Sequence, residues 1–501
     1  MKIKVIEKSY QEVLKEPAKK NYKPIKTNHL FRYLLKLVSK KDLNKTNFKC
    51  EKINMDKISK KEECLFLMNH SSFIDLEIAS TILYPRPFNI VTTEDGFIGK
   101  SWLMRHIGCI PTRKFVSDSL LVKNMIYCVK KLHSSILMYP EASYSFDGTC
   151  TPLPTSIGKC IKLLKIPVVI IITEGAFLRD PLYNNLQIRK TNVSCKMEYV
   201  LSKEDINKLS IEEINKIINE KFSFDNFKTQ QEKNVLITEP FRADHLERVI
   251  YKCPHCLKEG FMVGKGIYLT CKNCSSQYEL TENGFLKGQN NEVLHIPDLY
   301  KWERECVKKE IENDEDHLDE EVEIFIMKNY KCVYKIGYGN LHHDINGFIL
   351  KNDEFTFKQP SLASYSLYSD FYWYEKGDII AIGDNNMEYY CFPKNSYLVA
   401  KTRLATEEIY KMLKEKLVML KFKYDTQLLI EGKNLSEEAI NKYFNENLKG
   451  DCLLAVGDDE LIKIHFHTNE PWKVLEYCST LGEIFDIVVE DMDRQSRGLK
   501  G

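Results

Sequence analysis

The chain has 501 residues, 43% hydrophobic and 29% charged, with 72 basic against 71 acidic side chains and a net charge of +1. That length exceeds what one hydrophobic core supports and predicts roughly three or four domains. The balanced charge excludes a disordered chain and a polyanion-binding surface, so no nucleic-acid partner is expected. The 16 cysteines are scattered along the sequence. The opening stretch, "MKIKVIEKSYQEVLKEPAKK", has no apolar segment of the secretory type, so the cysteines read as cytosolic thiols and metal ligands. The apolar run nearest to a span, "IPVVIII" at 166–172, falls far short of the roughly 18 to 20 residues that cross a bilayer.

In chain order, "HLFRYLLKLVSKK" (29–41) predicts a helix with Leu30, Phe31, Leu34, Leu35 and Leu37 largely on one face, among Arg32, Lys36, Lys40 and Lys41. Such a helix either docks on its own domain or lies in a membrane interface. From 64 to 201 the apolar runs "CLFLM", "FNIVTT", "SSILMYP", "PVVIIIT" and "KMEYVL" predict buried strands, with helices such as "TSIGKCIKLLK" (155–165) between them. This alternation predicts an α/β domain. A polar helical stretch (202–230) and a strand "KNVLITEPF" (233–241) close it. A cysteine-rich insert follows at 251–287, then a charged helix at 297–314, a β-rich segment at 322–400 and a helix at 402–417. A further α/β module fills 419–495. The expected divisions are 1–250, 251–290, 291–418 and 419–501.

"LMNHSSFIDLE" (67–77) places His70 and Asp75 five positions apart, just past the first predicted strand. Ser72 with Asp75 suits a capping-box helix start. That leaves His70 and Asn69 unexplained. An imidazole facing a cleft, its tautomer fixed by a carboxylate, suits a general base. Further on stand "GCIPTRK" (108–114), "MYPEASYSFDGT" (138–149) and "IPVVIII" (166–172). In order and spacing, these stretches resemble the four motifs of the glycerolipid acyltransferase family, which includes the lysophosphatidate acyltransferases, over about 30–245.

The resemblance implies a 1-acylglycerol-3-phosphate O-acyltransferase-like enzyme. It would move an acyl group from a coenzyme A or acyl-carrier-protein thioester to a lysolipid hydroxyl, with His70 as base oriented by Asp75. It assigns substrate binding to Asn69, Ser71, Ser72, Arg113 and Glu141, Arg113 holding the acceptor's phosphate, with Lys114 or Lys100 beside it. No acyl-enzyme is required, and since no Gly-x-Ser-x-Gly elbow surrounds Ser71 or Ser72, they read as cap and backbone binders. Backbone N–H groups near the helix start are candidate oxyanion donors. In the third motif the family's Gly-Thr-Arg is Ala142, Ser143 and Tyr144 here, which exchanges a guanidinium fork for a phenol and puts the acceptor in question. An insoluble acceptor requires interfacial contact, so the expected location is cytoplasmic and peripheral on the inner membrane face, through helix 29–41. A lipid- or acyl-carrier-binding protein that has lost turnover and a zinc-dependent interaction scaffold remain open.

"CPHC" (253–256) and "CKNC" (271–274) form two Cys-x-x-Cys pairs fourteen residues apart. Cys253, Cys256, Cys271 and Cys274 suit a structural zinc ribbon, which staples a segment too short for a core of its own. His255, inside the first knuckle, is not expected to ligate. The β-rich segment closed by a helix resembles a pleckstrin-homology-like domain in element order alone. The segment "YDTQLLIEG" (424–432), with "GDDELIKIHFHTNEPWKVLEYCSTLGEIFDIVVEDMDRQ" (457–495), resembles the middle region of the ATP-binding component of bacterial fatty acid kinase, of the dihydroxyacetone kinase type. His465 and His467, two apart in a strand, share a face. That resemblance implies a second metal site in which Asp425 stands near the family's cysteine position; two histidines on a solvated sheet face are the alternative. The expected fold class is thus an α/β acyltransferase domain with a zinc ribbon, a β-rich pleckstrin-homology-like domain and a small C-terminal α/β module.

Overall fold

The computed structural model describes residues 3–59, 61–116, 118–315, 318–419 and 421–496. It divides into two compact units, Met1–Gln359 with Ala363–Glu408, and Pro360–Leu362 with Ile409–Gly501. In the first, a seven-stranded sheet runs in the order Lys49–Ile53, Ser194–Leu201, Val168–Glu174, Leu65–Met68, Ser135–Met138, Phe88–Thr93, Cys109–Thr112. Its pairings are parallel except that between Val168–Glu174 and Ser194–Leu201. Parallel strands covered on both faces are apolar throughout. Leu65–Met68, the middle strand, is fully buried. Phe66 and Met68 enter one core with Ile74 and Ile78, while Leu65 and Leu67 enter the other with Ile157 and Ile161. Each such side chain contributes about 1.5–3 kcal/mol. His70 follows this middle strand, at the carboxyl ends where crevices form in open α/β sheets.

Helices form at His29–Lys45, Ile74–Ile82 and Ser156–Leu164, as the apolar periodicity requires. His29–Lys45 has two apolar sides: Phe31 and Leu35 pack on the core, while Leu30, Leu34, Leu37 and Val38 are exposed. The strand expected at 233–241 does not form; Ile237 makes a single backbone bond to Glu282, with no ladder to extend it. Residues 262–294 build a five-stranded antiparallel sheet. Strands between Leu318 and Pro393 form a second sheet, to which the amino-terminal strand Val5–Glu7 adds in parallel beside Val333–Asp344.

Ion pairs and aromatic contacts bind these parts into the same unit as the seven-stranded sheet. Arg248 meets Asp378 at 2.8 Å, Phe146 stacks on Phe371 at 4.3 Å, and Lys401 reaches Glu259 at 2.8 Å. In the second unit four antiparallel strands carry helices Glu437–Asn447 and Pro471–Ser479 over a core that includes Ile430, Phe444, Ile464 and Val474. Among the described residues no helix is long and apolar enough to cross a membrane.

Candidate active site

The tight turn after Met68 brings His70 and Asp75 together. His70 Nδ1 lies 3.1 Å from Asp75 Oδ2, and the same oxygen accepts the amides of Ser71 at 2.8 Å and Ser72 at 3.0 Å. A carboxylate only accepts, so Nδ1 carries the proton and Nε2 presents a lone pair. Nε2 has no partner among the described residues, and the His70 side chain keeps 21% exposure while Asp75 keeps 1%. Burial lowers the His70 pKa; the Asp75 hydrogen bond and charge oppose it, and Lys114 adds to the lowering. The ring lies between Tyr139 and Tyr144, with centroids at 4.2 and 4.0 Å. Its faces are covered while the Nε2 edge stays open.

The polar residues around this pair are bonded within the protein. Asn69 accepts from the Thr173 amide at 2.8 Å and donates to Ser71 Oγ at 3.0 Å, tying two strand ends together. Ser72 Oγ donates to buried Asp180 and accepts from the Ile74 amide. Glu141 accepts the His70 amide at 2.9 Å and the Thr151 amide at 2.9 Å. Burial pushes its carboxyl up to about 7. It therefore fixes the backbone that carries His70. Ser71 and Ser72 N–H groups serve Asp75, which removes both as oxyanion donors. The helix begins at Ile74 with no side-chain cap, so Asp75 supports the turn rather than a capping box.

Arg113, expected to hold the acceptor's phosphate, braces the fold in this structure. It is 4% exposed. Its Nε bonds Glu94 at 2.9 Å, and its two terminal nitrogens donate to the carbonyls of Asp384 and Asn386. Sequence could not announce this, because those carbonyls lie more than 270 positions away. Arg113→Met should lower the unfolding free energy by about 3 kcal/mol, since it leaves Glu94 buried with less compensation. An unchanged urea midpoint would contradict that role.

Tyr144, in place of the family's arginine, stacks on His70. Arg403, which no motif signalled, holds this loop through Ser143 Oγ at 2.8 Å and the Tyr144 carbonyl. Ala142 sits at φ +54°, a conformation that favours glycine. Lys114 lies with Nζ 4.1 Å over the Tyr368 ring.

Cys253, Cys256, Cys271 and Cys274 offer sulfurs all within 4.8 Å of one another. Two of the Sγ pairs, Cys253–Cys274 and Cys256–Cys271, are 3.7 Å apart. A zinc–sulfur bond of about 2.3 Å gives a tetrahedral edge of about 3.8 Å, so the set fits zinc. In the second unit Asp425, His465 and His467 also cluster, and Asp451 with Cys452 joins His467 in an overlapping group. Asp451 pairs directly across from His467, and the register shift that follows it accompanies Cys452 in the same group. His465 Nδ1 is 3.2 Å from Asp425, and His467 Nδ1 is 3.3 Å from Asp451.

Comparison with known proteins follows the same division. Residues 49–173 match the family model described as Acyltransferase, and residues 421–499 match that of the FakA-like middle domain of fatty acid kinase. Uncharacterized proteins of Staphylococcus epidermidis and Staphylococcus aureus are 36% identical over 76 and 78 residues, and one of Staphylococcus haemolyticus is 31% identical over 80. The chain spans about 14% of the length of these relatives, and the matches cover 15–16% of its own. The crystal structure of the 1-acyl-sn-glycerophosphate (LPA) acyltransferase PlsC from Thermotoga maritima matches at TM-score 0.32 and 16% identity, covering 38% of this chain and 76% of that one. By the family models, residues 49–173 are therefore an acyltransferase-family domain, and residues 421–499 a FakA-like middle domain.

Proposed function

We propose that the protein transfers a fatty acyl group from a coenzyme A or acyl-carrier-protein thioester to a hydroxyl of a lysophospholipid or related glycerolipid. The observation that carries this reading is the His70–Asp75 pair, with Nδ1 tied to a buried carboxylate and Nε2 unbonded at an open ring edge. His70 Nε2 takes the acceptor's hydroxyl proton as that oxygen attacks the thioester carbonyl. The tetrahedral intermediate then expels the thiolate, which leaves as the thiol with that proton. Asp75 and the faces of Tyr139 and Tyr144 support the transient imidazolium. The exposed apolar side of His29–Lys45, beside Lys36, Lys40 and Lys41, supports peripheral seating on a membrane. Zinc on the four cysteines is structural in this reading, and the Asp425, His465 and His467 group, with Asp451 and Cys452, holds a second ion.

The pH–rate profile tests the base. His70 must be neutral to act, and its pKa lies below the ordinary value of about 6.5. The half-maximal point of the acid-side decline in acyl transfer should therefore lie below about pH 6.5. A half-maximal point above about pH 6.5, or no acid-side decline at all, would contradict His70 as base.

A further inference from the structure

Residues 139–148 lay Tyr144 on the His70 ring, yet they contain no helix or strand. On one side of this loop the Ser145 amide donates to the His70 carbonyl at 3.3 Å. On the other stands Arg403, from the helix Tyr397–Met419 that follows the β-rich sheet. Its guanidinium donates to Ser143 Oγ at 2.8 Å, more weakly to the Tyr144 carbonyl at 3.5 Å, and lies 4.5 Å over the Phe146 ring. Much of the loop therefore rests on one side chain. Arg403 is itself fixed from behind. It is 3% exposed, and its Nε lies 3.3 Å from Glu407, which also meets Arg304 at 2.7 Å and Ser366 at 2.6 Å.

A guanidinium locked in this way presents a rigid fork, which a lysine in its place cannot reproduce. Among the described residues Arg403 has no bond to His70, so its effect on the ring passes through the loop. With Nδ1 tied to Asp75, the freedom left to the imidazole is a swing about that bond, and the faces of Tyr139 and Tyr144 block it. We propose that Arg403 is a positioning residue for His70: it clamps the loop so that Tyr144 stays on the imidazole, and the helix after the β-rich sheet thereby completes the acyltransferase site. This role rests on the acyl-transfer reading, in which His70 is the base. A displacement of about 1 Å at a reacting atom can cost about 10²-fold in rate, which is what such a clamp prevents.

NMR of the full chain, with its histidines carrying 13C at Cε1 and His70→Gln used to assign the His70 signal, tests it. Spectra are taken without substrate at about pH 8.5, where the imidazole is neutral. The ring current of a stacked tyrosine displaces the Hε1 resonance, and Tyr144→Leu marks where the signal lies without that ring. Arg403→Lys and Ser143→Ala should each move the signal toward that mark, and neither should move it further once Tyr144→Leu is present. Both leave Glu407 paired with Arg304 and Ser366, and Ser143→Ala removes a single hydroxyl, so the fold should hold. In the Arg403→Lys variant kcat for acyl transfer should fall about tenfold or more with KM unchanged. A signal at its wild-type position in both variants, or one that shifts as much with Tyr144→Leu present as without it, would overturn the proposal. Because the signal is read without substrate, a chain that shows no turnover bears on the acyl-transfer reading alone.

Discussion

Replacing His70 with alanine should reduce acyl transfer by about 10²- to 10⁴-fold, the range for loss of a positioned general base. The fold should survive, because Asp75 keeps its bonds to the Ser71 and Ser72 amides and Glu141 still binds the backbone amide of residue 70. Substrate affinity should change little, since the imidazole acts on a proton. Asp75→Asn should be nearly as damaging to turnover and worse for stability. An amide can turn an NH₂ group toward His70 and favour the tautomer with the proton on Nε2, which is the wrong atom. It also surrenders a buried acceptor shared by three donors. Rate measurements beside circular dichroism separate the two effects. A His70→Ala variant with unaltered turnover would remove the imidazole from the chemistry.

The second large effect concerns zinc. Cys253→Ser combined with Cys271→Ser removes one sulfur from each knuckle, and the purified chain should lose about one equivalent of zinc. The unfolding free energy should fall by more than about 4 kcal/mol, the range that accompanies loss of a structural metal. The damage should spread beyond the small sheet. Gly264 packs so closely that a Cβ there would lie 2.2 Å from the Ala243 carbonyl, and His245 and Ala243 bond to the Gly264 and Gly266 carbonyls. Gln230 and Phe227 similarly abut Gly284. Metal analysis and denaturation curves check this together; a zinc-free chain with an unshifted midpoint would contradict it.

What could be read from the sequence was local. Strands such as Leu65–Met68 announce themselves by continuous apolar character, and the four cysteines by spacing. The turn after Met68 brings His70 to Asp75 within a few residues, so their pairing was legible too. The misread features depend on distant partners. Arg113 meets carbonyls from a hairpin far along the chain, Arg403 reaches Ser143 from a helix, and Val5–Glu7 is too short to show alternation. Tyr144 departs from the motif the resemblance implies, yet its stacking on His70 emerges only from packing. Asn69, Ser71, Ser72 and Glu141 are polar residues in a functional motif, and the motif alone does not distinguish contact with substrate from support of the residue that makes it. All four are buried, with bonds inside the protein. Cys452 was missed because a bulge, and not strand alternation, aims it.

The most direct test follows a labelled acyl group. Purified full-length protein is incubated with isotopically labelled acyl-coenzyme A or acyl-carrier protein and a panel of lysolipids, and the products are read by mass spectrometry beside the His70→Ala variant. Label should appear in an ester of at least one lysolipid with the wild-type chain, and that product should be lost in the variant. No labelled ester with any donor and acceptor, or equal ester from both proteins, would contradict acyl transfer with His70 as base.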